Sequence, residues 1–534
     1  MRNLLFFPIQ WTYSHLHFID ILLALLGLFI FCSIHQKLTS KGPMLWPILG
    51  ILPTFLLHFH EVHEWNTRAL IKSAGTYYYR GVTTGDFRGI ITCDPINIEY
   101  MLKNRFHNFP KGKYYRDRFR DFLGDGIFNA DGDIWKEQRR IATMEMQTSR
   151  FLEYSTKIMQ ELVQKKLLML IEKKIESGDD HCIDLQEWLL RFTFDNICMA
   201  AFGVDPGCLA LELPEIPFAK AFEQATEISL FRFLVPPFIW KPMKYFNLGS
   251  EKRLKEALRV VHDFAQSTVK NRKLDIAKSG DKKSNQNDLL SRLIKIQQDD
   301  ESLQHGRKNH FSDKFLSDFC ISLILAGRDT SSVALVWFFW LLNENPDVET
   351  KILSEIGEIV ARRGAPRESN ETLFTADELE KMVYLQAALS EAMRLYPPVP
   401  IDFKEVEEDD VYPDGMKTRK GDRVFYHIFA MGRMENIWGK DCHEFKPERW
   451  IKDGEFVSEN QFKYVVFNAG PRLCVGKKFA FLQMKMLTAS LLVRFKVKVA
   501  EDQVIVPKVT TTLYMKHGLL VTFHPRPDNI KVNK

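Results

Sequence analysis

Residues 467–476 read Phe-Asn-Ala-Gly-Pro-Arg-Leu-Cys-Val-Gly and place a single cysteine, Cys474, in a loop with two glycines. Gly470 and Gly476 let the backbone approach a flat cofactor closely and leave amide N–H groups free to point at the sulfur. A helical pattern begins at Lys477, and the positive end of a helix there favours a thiolate over a thiol. The loop is therefore suited to a thiolate beside a flat cofactor, but taken alone a single cysteine in such a loop is more often an inert core residue.

A second segment, residues 326–331 (Ala-Gly-Arg-Asp-Thr-Ser), interrupts the long apolar helix predicted over residues 315–342. Gly327 and the neighbouring hydroxyl groups weaken the helix ladder and open room beside it. Asp329 and Thr330 place a carboxyl group next to a hydroxyl group, which offers a short route for protons. On their own, the same residues also fit a helix cap or a kink.

Two further pairs of residues have helical spacing. Glu391 and Arg394 are three residues apart, and Trp135 and Arg139 are four apart, so each pair lies on one face of a predicted helix. In isolation, the first pair is usually a solvated ion pair worth roughly a few tenths of a kcal/mol. The second pair is equally compatible with a surface cation–π contact.

Taken together, these segments resemble the motifs of the cytochromes P450, and the resemblance covers nearly the whole chain. Phe467, Gly470, Arg472, Cys474 and Gly476 stand in the spacing of the family's haem-binding loop. The resemblance implies haem b as the cofactor, with Cys474 as the axial thiolate that binds the iron and favours O–O cleavage. It also implies that the fork of Arg472 binds a haem propionate.

The same resemblance assigns roles on the two sides of the cofactor. Trp135 and Arg139 match the family residues that hold a haem propionate. Beside such a loop, Asp329 and Thr330 are interpreted as the relay for the two protons that cleavage of dioxygen requires.

A structural cluster follows from the resemblance as well. Glu391 and Arg394, together with Arg449 in the segment Phe-Lys-Pro-Glu-Arg-Trp at residues 445–450, match the family's buried Glu-Arg-Arg cluster. This cluster supports the core on the haem side and is not catalytic.

The elements that must position these residues are mainly helical. Strand-like composition appears near both ends of the chain, at residues 75–93 and 504–523. Apolar residues at mixed three and four spacing predict the helices between them, at residues 150–175, 185–202, 251–277, 312–342 and 377–395. Residues 278–287 and 297–309 are polar and are interpreted as solvated connectors. The sequence predicts a mainly α fold with minor β, and the resemblance implies a helical lobe and a small β-rich lobe around a buried haem.

The N-terminus is predicted to be a membrane anchor, because residues 21–34 carry no charge and residues 16–34 are about long enough to span a bilayer if Asp20 reaches the interface. Lys37 and Lys41 follow this segment and only Arg2 precedes it, which favours a cytosolic catalytic body. A cleaved signal peptide and a buried amphipathic helix are the alternatives. We expect an anchor at residues 1–40, a proline-rich tether at 41–60 and a monooxygenase domain at 61–534, single-pass in the endoplasmic reticulum membrane.

The charge balance and the cysteine spacing limit the expected partners and the cellular compartment. The 73 basic and 68 acidic side chains of the 534-residue chain nearly cancel, so nucleic acid is not an expected partner. The eight cysteines form no CxxC pair, which fits a body that faces the reducing cytosol.

The substrate class comes from a narrower resemblance. Arg328, the run 331–340 and the segments at 109–112 and 123–129 resemble plant microsomal fatty-acid ω-hydroxylases. This implies O2 and a long-chain or very-long-chain fatty acid as substrates, with oxidation at the terminal methyl group. Arg232 is a candidate for the group that holds the carboxylate.

No flavin or dinucleotide domain is recognisable in the sequence, so electrons are expected from a partner. The resemblance implies the NADPH-cytochrome P450 reductase, docking where Lys477 and Lys478 add positive charge. Two other functions remain open on this fold: an isomerase or dehydratase of oxidised lipids, and a non-catalytic haem sensor.

Overall fold

The computed structural model describes residues 18–39, 42–82, 87–177, 182–279, 287–302, 312–363 and 374–526. Arg2, Lys41, the start of the predicted anchor and residues 303–309 of the second polar connector lie outside the described residues, as do residues 280–286 of the first.

Helices form most of the described chain. In chain order they are α1 (Phe18–Thr39), α2 (Leu52–Leu57), α3 (Val62–Lys72), α4 (Pro95–Glu99), α5 (Gly112–Leu123), α6 (Gly132–Met146), α7 (Ser149–Leu162), α8 (Met169–Glu176), α9 (Leu185–Phe202), α10 (Pro217–Phe231), α11 (Pro237–Tyr245), α12 (Gly249–Ser279), α13 (Leu289–Ser302), α14 (Asp313–Ile324), α15 (Thr330–Glu344), α16 (Pro346–Ala361), α17 (Ala376–Glu380), α18 (Val383–Leu395), α19 (Ile428–Met431), α20 (Glu435–Trp438) and α21 (Lys477–Arg494). Wider π turns at Val163–Leu168 and Leu325–Asp329 join α7 to α8 and α14 to α15.

The strands build small sheets. They are β1 (Thr76–Arg80), β2 (Arg88–Thr92), β3 (Ile183–Asp184), β4 (Asp402–Glu405), β5 (Asp410–Val411), β6 (Lys417–Thr418), β7 (Arg423–Tyr426), β8 (Ile451–Lys452), β9 (Glu455–Phe456), β10 (Phe495–Val499) and β11 (Leu520–Pro525). The largest sheet has the order β1-β2-β7-β4, in which only the β2–β7 pair is parallel. A second sheet has the order β10-β11-β3.

Helix α9 shows how local signals set an element. It begins after Asp184, whose carboxylate accepts a hydrogen bond from the backbone N–H of Gln186, and it ends at Gly203 in the left-handed conformation. An acidic N-cap and a C-terminal glycine are the standard start and stop signals of a helix. The structure therefore confirms the predicted bounds of 185–202.

Three predicted elements are wrong in part. The apolar face of α13 packs into the core and carries the helix through residues 297–302, where a connector was predicted. The single helix predicted at 377–395 is two helices: the short α17, which a capping box between Thr375 and Glu378 starts, ends at Glu380, and α18 begins at Val383. Within residues 504–523, regular strand structure begins only at Leu520.

The buried apolar side chains form two main clusters. The larger one joins the helices around α9, α14, α15, α18 and α21. The other surrounds the four-stranded sheet and includes Tyr77, Ile90 and Val424. The predicted fold class, mainly α with minor β and with a helical and a β-rich lobe, is confirmed.

Two helical spans of the described chain are long and apolar enough to cross a bilayer, Ile19–Thr39 and Asp313–Glu344. The second is mostly buried and is a core helix, whereas the first has no buried residues. Its Phe29 ring lies 5.1 Å from the Trp46 ring, and the Gln36 amide nitrogen donates to the Pro43 carbonyl at 3.1 Å. The division into anchor, tether and catalytic domain stays a prediction.

Candidate active site

The loop before α21 is a series of tight turns around Cys474. Short 3-10 turns occupy Val465–Phe467 and Gly470–Arg472, and the Cys474 N–H donates to the Phe467 carbonyl at 2.8 Å. The Cys474 side chain is accessible, although protein surrounds it closely enough for burial to raise the pKa of its thiol. An accessible sulfur deep in the protein faces an interior space.

The two glycines of the loop are needed for different reasons. Gly470 has a φ of +61°, and a Cβ there would lie 2.2 Å from the Leu102 carbonyl oxygen. Its backbone conformation and close packing both require glycine. Gly476 has an ordinary φ of −83°, and a Cβ there would meet nothing closer than the Met146 methyl at 3.7 Å. The fold alone does not require glycine at position 476.

The electrostatic environment of Cys474, taken as a whole, disfavours a free thiolate. Burial raises the pKa of the thiol, and the Gly476 N–H, Arg139 and Lys477 act in the opposite direction. The helix end and nearby cations thus reduce the cost of a thiolate without removing it. A metal cation at the sulfur would complete the stabilisation.

Arg472, two residues before Cys474, belongs to the same loop. Its guanidinium contacts the Trp135 ring at 4.4 Å and donates to Asp131 Oδ1 at 2.7 Å and to the Ala130 carbonyl at 3.1 Å. Its Nε is buried without a hydrogen-bond partner among the described residues. Arg472 therefore keeps donor capacity for an additional acceptor.

Arg139 is one turn from Trp135 on α6, and its guanidinium is half-buried. Within the described part of the chain it makes no hydrogen bond or ion pair, although Cys474 and Arg472 both influence its pKa, which burial lowers. An enclosed cation without a counter-ion favours the binding of an anion.

Glu391 is the centre of a saturated ion cluster. Arg394 donates to both of its carboxylate oxygens at 2.8 Å, and Arg449 donates to Oε1 at 3.2 Å. The Trp450 indole N–H donates to Oε2 at 2.9 Å, and the remaining donors of Arg394 bind backbone carbonyls. The structure thus brings the three residues of the predicted cluster together, with Glu391 and Arg394 fully buried and Arg449 partly buried.

The long core helix widens where the sequence predicts a weak ladder. The π turn covers Leu325–Asp329, and the Thr330 hydroxyl donates to the Ala326 carbonyl at 2.5 Å. Leu325, Ala326, Gly327 and Thr330 are half-buried in a helix whose other residues are almost all buried. One face of this turn therefore borders an interior space.

Asp329 lies on a different face from Thr330 and is fully buried. Arg328 Nη1 donates to its Oδ1 at 2.8 Å, and the nearby Tyr514 hydroxyl acts on the same carboxylate to lower its pKa. Burial raises the pKa of Asp329, which makes it a better proton carrier near neutral pH. In the structure the carboxyl group and the Thr330 hydroxyl are sequence neighbours without a direct hydrogen bond.

The family model of cytochrome P450 matches residues 41–531. The chain belongs to the cytochrome P450 family. Cytochrome P450 86B1 of Arabidopsis thaliana is 49% identical over 510 residues, which are 94% of this chain and 89% of that protein. Cytochrome P450 94A1 of Vicia sativa is 41% identical over 462 residues, 85% of this chain and 84% of that protein. Noroxomaritidine synthase 1 of Narcissus pseudonarcissus is 35% identical over 522 residues, 97% of this chain and 98% of that protein. The predicted family is confirmed, and all three relatives are plant proteins.

As a cytochrome P450 monooxygenase, the protein uses haem b with a cysteine thiolate ligand, as predicted. The residues present fit this group: the sulfur of Cys474 faces an interior space, and Arg139 and Arg472 keep unused donors nearby. When bound, the haem iron holds the thiolate and activates dioxygen. Substrate, O2 and a redox partner complete the reaction.

Sequence reasoning missed a buried charge cluster beside this site. Asp402 accepts hydrogen bonds from Lys111 and Lys404, each at 2.8 Å, and from the Tyr426 hydroxyl at 2.5 Å. Asp402 and Lys404 are two residues apart on β4 and therefore lie on the same face of the strand. Lys111, at the start of α5, approaches the same carboxylate, which thus meets two ammonium groups. The available signal was a short strand, Asp402–Glu405, in which three of four residues are charged.

The hypothesis that Arg232 holds the substrate carboxylate is wrong. Arg232 is buried, and it donates to Glu251 Oε1 at 2.9 Å and to Glu251 Oε2 at 2.5 Å. Its Nη1 also lies 2.9 Å from Asp121 Oδ2. Two carboxylates of the chain already neutralise this guanidinium, so it has no capacity for a third.

Proposed function

We propose that this cytochrome P450 hydroxylates long-chain or very-long-chain fatty acids at the terminal methyl carbon. The observation that carries this proposal is the similarity over 94% of the chain to cytochrome P450 86B1. It is supported by the segments around residues 109–112, 123–129 and 328–340, which resemble plant fatty-acid ω-hydroxylases. A lipid rearrangement without dioxygen would not need the proton relay at Asp329 and Thr330.

Each site residue has a task in this proposal. Cys474 binds the iron, and Arg472 and Arg139, with the Trp135 indole, hold the haem propionates. Asp329 carries protons from the Tyr514 side of the π turn, and the Thr330 hydroxyl passes them to the interior space on its other face.

The electron donor in this proposal is the NADPH-cytochrome P450 reductase. Of the two lysines at the start of α21, Lys478 is exposed, whereas Lys477 is half-buried and lies 5.5 Å from the Phe467 ring centre. We therefore assign the docking charge to Lys478. Lys478→Glu should slow reduction of the iron without changing substrate binding, and unchanged reduction kinetics would contradict this assignment.

Membrane attachment at the endoplasmic reticulum, single-pass with a cytosolic body, is part of the same proposal. The exposed face of α1 supports it, as do apolar side chains around α11 that are exposed by 70% at Phe238, 83% at Tyr245 and 66% at Phe246. Exposed aromatic residues of this size are typical of a surface that meets lipid.

The test uses microsomes that contain the full chain. We expect a red-shifted Soret band of the thiolate type after reduction and addition of carbon monoxide, and we expect the band to disappear in Cys474→Ala. With NADPH and reductase, fatty acids of increasing length should give terminal hydroxy acids. A thiolate band without oxidation of any fatty acid would overturn the substrate class, and a haem-loaded protein without the band would overturn the role of Cys474.

A further inference from the structure

Arg118 on α5 is a buried guanidinium that lacks a carboxylate partner. Its Nε donates to the Arg232 carbonyl at 2.9 Å and its Nη1 to the Tyr114 carbonyl at 3.1 Å. No carboxylate of the described residues is within ion-pair distance, and Asp117 acts on it only at longer range. Its Nη2 has no hydrogen-bond partner in this part of the chain and is not among the fully enclosed polar atoms. One edge of the guanidinium is therefore available to a ligand.

The surroundings of Arg118 increase the need for an anion. Arg118 and Arg423 lie 3.4 and 3.5 Å from the centre of the Tyr114 ring, so they occupy opposite faces of it. Burial lowers the pKa of Arg118 to about 10, and the charge of Arg423 contributes to the decrease. A buried cation beside a second cation is costly unless an acceptor with negative charge completes it.

Apolar rings connect Arg118 with the haem side of the protein. Tyr115 and Phe119 on α5 pack against Phe233 and Phe403, with ring centres 4.9 to 5.9 Å apart. At the start of α5, Lys111 lies over Tyr115 and pairs with Asp402, whose charge acts on Arg472. Seven residues separate Lys111 from Arg118, which is roughly 10 Å along the helix.

We propose that Arg118 binds the carboxylate of the acyl substrate through Nη2, with the first methylene groups of the chain against the Phe233 ring. The inference rests on the proposed fatty-acid hydroxylation and names the group that orients the substrate. A carboxylate at Arg118 is held away from the haem-binding loop, so that oxidation takes place on distant carbons. Arg232, whose guanidinium is paired with Glu251 and Asp121, supports Arg118: its carbonyl accepts the Arg118 Nε–H, and its Nη1 donates to the Arg118 carbonyl.

The test compares palmitic acid with methyl palmitate on the full-length haem protein, with dissociation constants from the substrate-induced shift of the Soret band. Arg118→Gln should weaken binding of the acid about tenfold to a hundredfold, because a hydrogen bond to a charged group is lost, and should leave the ester unchanged. Arg118→Lys should retain part of the preference for the acid. Arg120→Gln is the matched control, since Arg120 is exposed on the same helix.

Each alternative result is informative. Equal loss for acid and ester in Arg118→Gln would show a purely structural role and overturn the inference, as would no loss for either. If the wild-type protein binds both equally, the carboxylate is not recognised and the inference fails while acyl hydroxylation stands. If it binds neither these probes nor the acid and methyl ester of a very-long-chain fatty acid, the inference and the proposed function fail together. Should Arg118→Gln not retain haem, the wild-type comparison and Arg118→Lys decide.

Discussion

Arg394 and Arg118 are buried to a similar degree, with 1% and 3% of their surface exposed, but their guanidinium donors have different acceptors. All three nitrogens of Arg394 donate within the protein, to Glu391 and to backbone carbonyls. Arg118 has two carbonyl acceptors and no carboxylate among the described residues. Removing one partner of a buried charge pair that the chain satisfies itself destabilises the fold, whereas a buried cation with a spare donor indicates where a ligand binds.

The largest effect is expected at the saturated cluster. Glu391→Gln leaves Arg394 and Arg449 without their shared charge, and breaking a buried ion pair costs about 3–5 kcal/mol of folding stability. We expect little haem-loaded protein and a strongly lowered midpoint of thermal inactivation. Glu137→Gln is the control, because the Glu137–Arg140 pair is exposed and is worth less than about 1 kcal/mol. Equal stability of the two variants would contradict the central role of Glu391.

Asp329 pairs with Arg328 inside the protein, and replacement of Asp329 should reduce activity more than stability. Asp329→Asn keeps an acceptor for Arg328 and Tyr514 but cannot carry a proton. We expect turnover to fall about a hundredfold, with unchanged substrate binding and a lower yield of product per NADPH consumed. Asp313→Asn, at the exposed start of α14, is the control. A normal yield of product per NADPH would exclude the proton relay.

Gly470 and Gly476 differ in whether the backbone conformation and the packing around them require glycine. Gly470→Ala forces a residue with a Cβ into a left-handed conformation against the Leu102 carbonyl, which costs at least about 1–2 kcal/mol. Gly476→Ala meets no close contact and should fold normally. Thermal melting followed by circular dichroism separates them. A melting temperature for Gly470→Ala equal to that of Gly476→Ala would contradict the packing against Leu102.

Local spacing predicts some of these residues and not others. The loop around Cys474, the π turn at Thr330 and the Glu391–Arg394 pair are visible in short segments, because their partners lie within a few residues. Tyr514 reaches Asp329 only through the folding of the C-terminal segment onto α15. Arg118 and Arg232 cannot be told apart from the sequence, and only tertiary contacts with Glu251 and Asp121 show that the Arg232 guanidinium is already paired.

A change in the pH dependence of stability is expected at Lys404, which shares the single carboxylate of Asp402 with Lys111. Burial lowers the pKa of Lys404 from its usual 10.5 to about 7. Between about pH 7 and 10.5 the unfolded chain then binds the proton that the native protein has released, so this lysine makes stability rise with pH in that window. Lys404→Met should abolish this contribution and stabilise the protein below pH 7, where the buried charge is fully present. The measurement is the midpoint of thermal inactivation at several pH values. If the midpoints of the variant and the wild type change with pH in parallel, Lys404 does not titrate in this window. Its ammonium group is then stabilised by its hydrogen-bond partners within the protein, as the guanidinium of Arg394 is.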